Sequence, residues 1–420
     1  MTSVSEAQRT MNRPLRFCLL TTFYPPYNFG GDGIFVQRLA NALAERGHQV
    51  AVIHCRDAYR LLARQEPNAL YADHPNVTVY GLESPWGVLS PLTTHQTGWS
   101  CFKATRVQQI LTTGFDVIHY HNISLLGPQI LSYGRGLKLY TMHEYWLLCP
   151  THTLFRFNAQ PCVRPHCFTC TLTYKRPPQW WRSSNLLPTA IKHVDTFLAP
   201  SRFCQRLHLE WGFEAPIVPL PNFVPTVELA SQAAGPPAGA GEPLPYFLYV
   251  GRLEKLKGLH TLMPFFQRYD KAQLWIAGTG TYEAQLRRLA AGCSNIRFLG
   301  QVAAEPLQKL YRQAIALLVP SLWYEIFPLV ILEAFRQQTP VIARNLGSLA
   351  EVLGESGGGF VYTSDQELLT AMEQLITAPA YRHALGLRGY QAYQRLWTVD
   401  AHLEQYFAII AAAENRCGSS

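Results

Sequence analysis

The chain has 420 residues, of which 48% are hydrophobic and 15% charged. This composition excludes a disordered protein, and the length is too great for one compact core, so two domains are expected. Lysine and arginine number 36 against 28 aspartates and glutamates, a net charge of +8. The surplus favours anionic ligands or acidic lipid, while nucleic acid is not expected because no nucleic-acid-binding motif or dense cationic run is present.

No secretion or membrane-insertion signal is expected in the first residues of the sequence. Residues 1–13 are polar, and the apolar run at 17–22 is too short for a signal core or a membrane span. The ten cysteines are scattered and do not form a disulfide framework, so reduced thiols are expected. The sequence therefore predicts a cytoplasmic protein.

The first half of the chain has the pattern of a βαβ series. A buried strand at 15–22 is followed by a Pro/Gly loop at 24–33, an amphipathic helix ending near Gly47, and a strand at 49–55. Further short apolar strands are predicted at 77–80, 116–120, 138–142 and 196–199. Such a series is typical of a doubly wound parallel sheet.

A second series of the same kind begins at Tyr246. Its predicted strands are 246–250, 274–277, 296–299, 316–319 and 341–343, with helices near 258–268, 281–292, 305–313 and 328–338. The sequence therefore predicts an α/β protein with two Rossmann-like domains, 14–227 and 246–395, joined by a linker at 228–245. A last helix at 396–415 is a candidate to cross back to the first domain. We expect ligand in a cleft between the domains, at the carboxyl ends of the strands.

Two glutamates, Glu325 and Glu333, lie eight positions apart around an apolar run. If Glu325 lies in a loop and Glu333 one turn inside the next helix, both carboxylates can face one site beside the helix N-terminus, which favours phosphate. Two acids and a phosphate-attracting helix end suit a sugar nucleotide. The stretch alone also fits a loop acid and a helix-cap glutamate that share no ligand.

The turn after the strand 246–250 carries Gly251, Arg252, Lys257 and Gly258. An arginine can fork onto a diphosphate and a lysine can add a point charge. The alternative is a solvated basic loop.

The order of the motifs is more informative than any one of them. Gly-Gly after the first strand, His-x-His near 120, His-Glu at 143, Gly-Arg…Lys-Gly at 251 and Glu-x7-Glu at 325 together resemble the retaining GT-B glycosyltransferases of family four, over nearly the whole chain. The resemblance implies transfer of a hexose-type sugar from a nucleoside-diphosphate sugar to a saccharide or lipid-linked acceptor, in cell-surface polysaccharide or glycan biosynthesis. A nucleotide-sugar epimerase of GT-B fold and a non-catalytic nucleotide-sugar-binding protein are the alternatives.

The resemblance also implies residue roles. Glu325 would contact the transferred sugar, Glu333 would hold the ribose, and His143 would lie beside the donor sugar. Arg252 and Lys257 would neutralise the departing diphosphate, so no catalytic metal is expected. Further implied positions are Gly30, Gly31, Phe327 and Leu329 on the donor side, and His121 and Glu144 on the acceptor side.

Some positions depart from the family pattern. Pro328 and Gln338 stand where glycine is common, and Glu144 replaces an aspartate after His143. Because no charged group is lost, an active enzyme is expected. His119 and His121 are interpreted as alternating along a strand, so that only one faces a given side, and His119 is expected to be a buried or capping histidine.

Four cysteines, Cys149, Cys162, Cys167 and Cys170, lie within 22 positions. Their spacing predicts a structural Zn²⁺ site, with unpaired thiols, a redox pair or an iron–sulfur cluster as alternatives.

Aromatic and basic side chains follow the cysteines, at Lys175, Arg176, Trp180, Trp181 and Arg182. They predict peripheral contact with an anionic membrane, at its inner face. A surface-packed aromatic cluster is the alternative.

Overall fold

The computed structural model describes residues 13–63, 65–67, 71–226 and 244–418, so nearly all of the predicted linker at 228–245 lies outside the described residues. The chain divides into two compact units. Unit 1 consists of Met1–Thr153, Pro165–Asn222 and Asp400–Ser420, and unit 2 of Leu154–Arg164 and Phe223–Val399. The last helix thus belongs to unit 1 from Asp400 onward, and a short segment near the cysteines belongs to unit 2.

Unit 1 contains a parallel sheet of seven strands, which are among the first nine strands of the chain. In chain order the nine are β1 (Arg16–Leu20), β2 (Gln49–Cys55), β3 (Val77–Leu82), β4 (Val117–Tyr120), β5 (Leu137–Thr141), β6 (Phe155–Arg156), β7 (Gln160–Pro161), β8 (Thr196–Ala199) and β9 (Ile217–Pro219). The sheet has the order β3-β2-β1-β4-β5-β8-β9, while β6 and β7 form a separate antiparallel pair. Phe17 to Leu20 are fully buried, as expected for a strand covered on both faces.

The helices of unit 1 connect these strands. They are Gly31–Glu45, Arg56–Ala63, Leu89–Thr97, Ala104–Leu111, Cys167–Thr173, Leu186–Ile191, Arg202–Glu210 and Val399–Gly418, with 3₁₀ turns at Pro128–Ser132, Tyr145–Leu147 and Trp180–Ser183. The first helix buries Phe35, Leu39 and Leu43, one apolar stripe at spacings of four. In the last helix Tyr406 and Phe407 pack on Phe17, with ring centroids 6.3 and 6.4 Å away.

Unit 2 contains a second parallel sheet of six strands. They are β10 (Tyr246–Val250), β11 (Gln273–Ala277), β12 (Ile296–Gly300), β13 (Leu317–Val319), β14 (Val341–Arg344) and β15 (Gly359–Tyr362), in the order β12-β11-β10-β13-β14-β15. Phe247 and Tyr249 belong to one buried cluster and Tyr246 and Leu248 to another. This is the two-residue alternation of a strand buried on both faces.

The helices of unit 2 are Met263–Phe266, Glu283–Leu289, Ala304–Gln313, Leu329–Arg336, Ser348–Ser356, Asp365–Thr377 and Pro379–Leu396. The single helix predicted at 258–268 is wrong. Two 3₁₀ turns, Lys255–Lys257 and Leu259–Thr261, are separated by Gly258 in the left-handed conformation at φ +73°. A four-residue helix follows, and its second residue, Pro264, has no backbone N–H to continue the hydrogen bonds of the preceding turn. The two predicted Rossmann-like sheets are confirmed, with β9 and β15 as additional edge strands.

Each sheet has a topological switch point, where ligands of open α/β sheets bind. In unit 1 it lies between β1 and β4, and in unit 2 between β10 and β13. The predicted Gly30 and His121 follow β1 and β4, while Arg252 and Glu325 follow β10 and β13. The fold therefore places the main predicted residues of each unit at that unit's switch point.

Candidate active site

In unit 2 the turns that follow β10 and β13 pack directly on each other. The backbone N–H of Leu322 donates to the carbonyl of Leu256 at 2.8 Å. A Cβ atom at Gly258 would lie 2.0 Å from the carbonyl oxygen of Pro320, so only glycine fits at that position. This close approach brings Lys257 beside the loop that carries Glu325.

Lys257 and Glu325 form an ion pair, with Nζ and Oε1 2.8 Å apart. The Ser321 hydroxyl donates to the same carboxylate oxygen at 2.7 Å. The backbone carbonyl of Glu325 accepts the hydroxyl of Ser348 at 2.7 Å. The Glu325 side chain and backbone are therefore both held by hydrogen bonds.

Glu325 is only 8% exposed, and it remains ionised. Burial by itself would raise the pKa of this carboxyl, but the charge and hydrogen bond of Lys257 and the hydrogen bond of Ser321 outweigh burial, so its pKa lies below the usual value. The Lys257 ammonium also lies 5.1 Å from the ring centroid of Trp323, within cation–π range. The arrangement offers a fixed anionic acceptor for hydroxyl groups beside a cation that can reach a phosphate.

The other predicted donor-side residues of unit 2 lie in or next to the two turns that carry Lys257 and Glu325. Arg252 pairs with Glu254 at 2.8 Å and keeps 53% of its side chain exposed. Glu333 lies in the helix Leu329–Arg336, as the sequence predicts, and accepts the hydroxyl of Tyr311 at 3.2 Å. Phe327 and Leu329 pack partly buried against the core of unit 2, and their contact with a donor stays a prediction.

In unit 1 the loop after β1 leads into the helix Gly31–Glu45. Gly30 precedes its first turn, and the Asn28 side chain donates to the Gly30 carbonyl at 2.7 Å. Asp32, in that first turn, accepts the side-chain amide of Asn122 at 3.1 Å. This hydrogen bond joins the two sides of the switch point, and Asp32 is a site residue that sequence reasoning missed although it follows the two glycines directly.

Four histidines and a tyrosine form a buried array beside this loop. His121 Nδ1 and His143 Nε2 are 2.9 Å apart, so one ring donates and the other accepts. His119 lies between the Tyr406 hydroxyl at 2.9 Å and the Thr141 hydroxyl at 2.8 Å. His119 is 1% exposed, so of the two predicted possibilities, a buried or a capping histidine, the structure shows the buried one.

His119 and His121 face the same side of strand β4, so the prediction that only one of them faces a given side is wrong. Their ring centroids are 4.0 Å apart, because residues two apart along a strand face the same side. His402, from the last helix, stacks on Tyr406 with centroids 6.1 Å apart. No local pattern indicates that His402 and Tyr406 belong to this array.

The array is neutral at physiological pH. Burial lowers the pKa of His143 to about 4, and the nearby carboxylate of Asp32 only partly opposes this. Burial also lowers the pKa of His402 to about 4, although its Nδ1–H donates to the Pro221 carbonyl at 2.7 Å. A neutral His143 can donate or accept a hydrogen bond through its second ring nitrogen, so it can serve as a hydrogen-bonding partner of a sugar hydroxyl.

The Glu144 carboxylate is hydrogen-bonded to His152. Its Oε2 lies 2.8 Å from His152 Nδ1, and each side chain is 19% exposed. Its predicted acceptor-side role stays a prediction.

The cysteine-rich segment does not show an assembled metal site. Cys149, Cys167 and Cys170 belong to unit 1 and Cys162 to unit 2, and the Cys162 thiol donates to the Arg164 carbonyl at 3.4 Å. Among the residues that the structure describes, no group of three or more His, Cys, Asp or Glu side chains is arranged to hold a metal ion. The structural zinc site stays a prediction without support from this geometry, and metal analysis of the reduced protein tests it.

Comparisons with known proteins agree with this geometry. Residues 29–228 match the family model for Glycosyltransferase Family 4 and residues 236–392 the model for Glycosyl transferases group 1. A relative in Mycobacterium leprae, phosphatidyl-myo-inositol mannosyltransferase, is 28% identical over 393 residues, which cover 90% of this chain and 92% of that protein.

Solved structures show the same fold. Sucrose-phosphate synthase from Thermosynechococcus elongatus is 20% identical with a TM-score of 0.69, covering 97% of this chain and all of that chain. Anabaena HepE in complex with UDP-glucose is 18% identical with a TM-score of 0.66, covering 95% of this chain and all of that one. Likeness at this identity shows the fold alone.

Two parallel sheets with helices between their strands, one in each unit, are the architecture of the GT-B fold that these solved structures share. The chain belongs to the GT-B glycosyltransferases of the family four type, enzymes of glycan and polysaccharide biosynthesis.

Proposed function

We propose that the chain transfers a hexose-type sugar, with retention of anomeric configuration, from a nucleoside-diphosphate sugar to a saccharide or lipid-linked acceptor. The observation that carries the proposal is the arrangement of Ser321, Lys257 and Glu325 at the switch point of unit 2. A fixed carboxylate suits the hydroxyl groups of a sugar, and an adjacent cation suits its diphosphate.

Chemistry at this site requires stabilisation of a leaving group. The bond between the anomeric carbon and the diphosphate oxygen breaks and its electron pair goes to the diphosphate. The acceptor oxygen bonds to the anomeric carbon, and its proton passes to the departing diphosphate. The negative charge grows on the diphosphate, where Arg252 and Lys257 would stabilise it without a catalytic metal. Glu333 would hold the ribose, and Gly30 and Gly31 would let the backbone of unit 1 approach the donor.

Relatives support the donor and acceptor classes. The structure of HepE contains UDP-glucose, and the Mycobacterium leprae relative is named for mannosyl transfer to a phosphatidylinositol. Both names concern those proteins and agree with a nucleotide-sugar donor and a lipid-linked acceptor here. We propose action in the cytoplasm, at the inner face of a membrane. The structure has no helix, within the described residues, that is long and apolar enough to cross one.

The test is calorimetric titration with UDP-, GDP- and ADP-linked hexoses, followed by product analysis by NMR. We expect one nucleotide class to bind, and its sugar to be released or transferred with the anomeric configuration of the donor. Inverted product would contradict retention, and interconversion of the nucleotide sugar without transfer would favour an epimerase. Binding without turnover in the presence of an acceptor panel would favour a non-catalytic binding protein.

A further inference from the structure

The positive charge of the chain is concentrated in two stretches that contain no aspartate or glutamate. Residues 84–115 contain two lysines or arginines, and residues 145–194 contain six. These eight equal the net charge of the whole chain, since the remaining 28 cationic residues balance all 28 acids. The parts of these stretches that belong to unit 1, residues 84–115, 145–153 and 165–194, therefore offer a surface without carboxylates of its own.

The same two stretches expose large aromatic side chains in unit 1. Trp86 and Phe102 are 58% and 44% exposed and stack with ring centroids 5.5 Å apart. Trp180 and Phe168 are 66% and 52% exposed, with centroids 5.6 Å apart. Trp99 is a fifth exposed ring, at 48%. We call these five residues the aromatic surface.

The two aromatic pairs lie on segments that pack against each other. Trp181, buried beside the exposed Trp180, donates its indole N–H to the carbonyl of His95 at 2.9 Å. A Cβ at Gly98, next to Trp99, would lie 2.9 Å from the Trp181 ring. The helix Leu89–Thr97 thus rests on the turn Trp180–Ser183, and this contact joins the two parts of the aromatic surface.

Exposed cations adjoin these rings. Lys175 and Arg176 are exposed and lie in the chain between Phe168 and Trp180. The backbone N–H of Arg176 donates to the Thr171 carbonyl at 3.1 Å, which keeps Arg176 beside the helix Cys167–Thr173 that carries Phe168. Lys103 serves the scaffold instead, since it is buried against Asp57 at 3.1 Å.

We propose that the aromatic surface, with Lys175 and Arg176, docks on an anionic lipid bilayer. Tryptophan favours the interface between headgroups and acyl chains, and cations beside it are attracted to acidic headgroups. A second copy of this chain is a poorer occupant, because two carboxylate-free cationic surfaces repel each other. The surface does not depend on the transfer reaction proposed above, and it would place the enzyme where lipid-linked acceptors lie.

The test is co-sedimentation of the full chain with vesicles of phosphatidylcholine alone or of equal parts phosphatidylcholine and phosphatidylglycerol. We expect binding to the anionic vesicles and little to the neutral ones. The variant Lys175→Ser/Arg176→Ser should bind anionic vesicles about 30-fold more weakly, from two cations near the surface. The variant Phe168→Ser/Trp180→Ser should bind about tenfold more weakly, because exposed apolar area is lost.

A matched control uses Arg206 and Leu209, an exposed cation and an exposed apolar residue on another helix of unit 1. Arg206→Ser/Leu209→Ser should bind vesicles as the unchanged protein does. Donor hydrolysis without vesicles should be the same for all these proteins, so a failure of lipid binding is distinguishable from a failure of the transferase proposal. No binding of the unchanged chain to anionic vesicles, equal binding by all variants, or self-association through this surface would overturn the docking proposal.

Discussion

The Lys257 ammonium and the Glu325 carboxylate lie 2.8 Å apart although 68 residues separate them in the chain. Their loops follow the neighbouring strands β10 and β13, and close backbone contact at Gly258 fixes their spacing. The carboxylate is 10% exposed at its side chain and the lysine 21%. A donor that takes its diphosphate to Lys257 and its sugar to Glu325 would replace one internal contact by two contacts to ligand.

Replacing Glu325 by glutamine should abolish turnover while nucleotide binding persists. The substitution keeps the shape and removes the negative charge, so we expect kcat to fall by at least about 100-fold and the nucleotide Kd to change by less than about threefold. Steady-state kinetics and calorimetric titration measure the two quantities. The control is Glu373→Gln, since Glu373 forms a 2.8 Å pair with Lys271 in the same unit but away from the site. Unchanged transfer by Glu325→Gln would contradict the assigned role.

Replacing Lys257 by methionine should destabilise unit 2. It would leave a buried carboxylate without its cation, which costs about 3 kcal/mol in unfolding free energy. Lys271→Met, which breaks a pair whose lysine is 59% exposed, should cost less than about 1 kcal/mol. Urea unfolding with and without the additional Glu325→Gln change measures both. Equal destabilisation by Lys257→Met and Lys271→Met would show that burial of the Glu325 carboxylate does not increase the cost of losing its cation.

The same pair sets a pH dependence. Because the folded pKa of Glu325 lies below its unfolded value, its stabilisation is present above the unfolded pKa and is lost as pH falls through the folded one. The difference in stability between the unchanged protein and Lys257→Met should therefore shrink in acid. Urea unfolding of both proteins, from neutral pH down through the folded pKa of Glu325, measures this difference in stability. A difference that stays constant with pH would contradict the ion-pair explanation.

The histidine array should make unit 1 sensitive to mild acid. The pKa of His143 and of His402 is lowered from 6.5 to about 4 by burial, so the unfolded chain binds protons first and stability falls as pH drops from 6.5 towards 4. Each histidine should cost about 1 kcal/mol between about pH 7.5 and about pH 5.5. Urea unfolding at the two pH values measures the loss.

His402→Asn should remove about one histidine's share of that loss, since the amide can still donate to the Pro221 carbonyl. His193→Asn, at an exposed position of the same unit, is the control and should leave the loss unchanged. If His402→Asn and His193→Asn lost the same stability between the two pH values, the buried array would not be the cause of the loss.

Gly278→Ala should damage the donor side of unit 2. Gly278 has φ +141°, and an added Cβ would lie 2.0 Å from the carbonyl oxygen of Gly251, so the turns after β10 and β11 would have to separate. We expect a loss of about 2 kcal/mol or more in stability and weaker nucleotide binding. Gly354→Ala is the control, because nothing lies within 4 Å of its added Cβ in the helix Ser348–Ser356. It should stabilise by about 0.5–1 kcal/mol, and thermal unfolding compares the two.

Much of the fold could be predicted because it depends on local pattern. Short apolar runs followed by glycine turns located β1, β2 and β10 to within two residues at each end. The segment predicted as one helix at 258–268 is a 3₁₀ turn followed by a four-residue helix, and the left-handed Gly258, held by contact with Pro320, lies at its start. That contact joins residues distant in the chain, so no local pattern contains it.

The sequence by itself determined the two-sheet class, the charge surplus and the glutamates on either side of an apolar helix start. Only the tertiary structure decided that Lys257 pairs with Glu325, that His119 and His121 face one side, and that His402 and Tyr406 of the last helix complete the array. The physical reason is the separation along the chain of the residues that interact. Strand and helix patterns depend on residues a few positions apart, whereas hydrogen bonds, burial and the pKa shifts they cause depend on which distant segments the sheet order brings together.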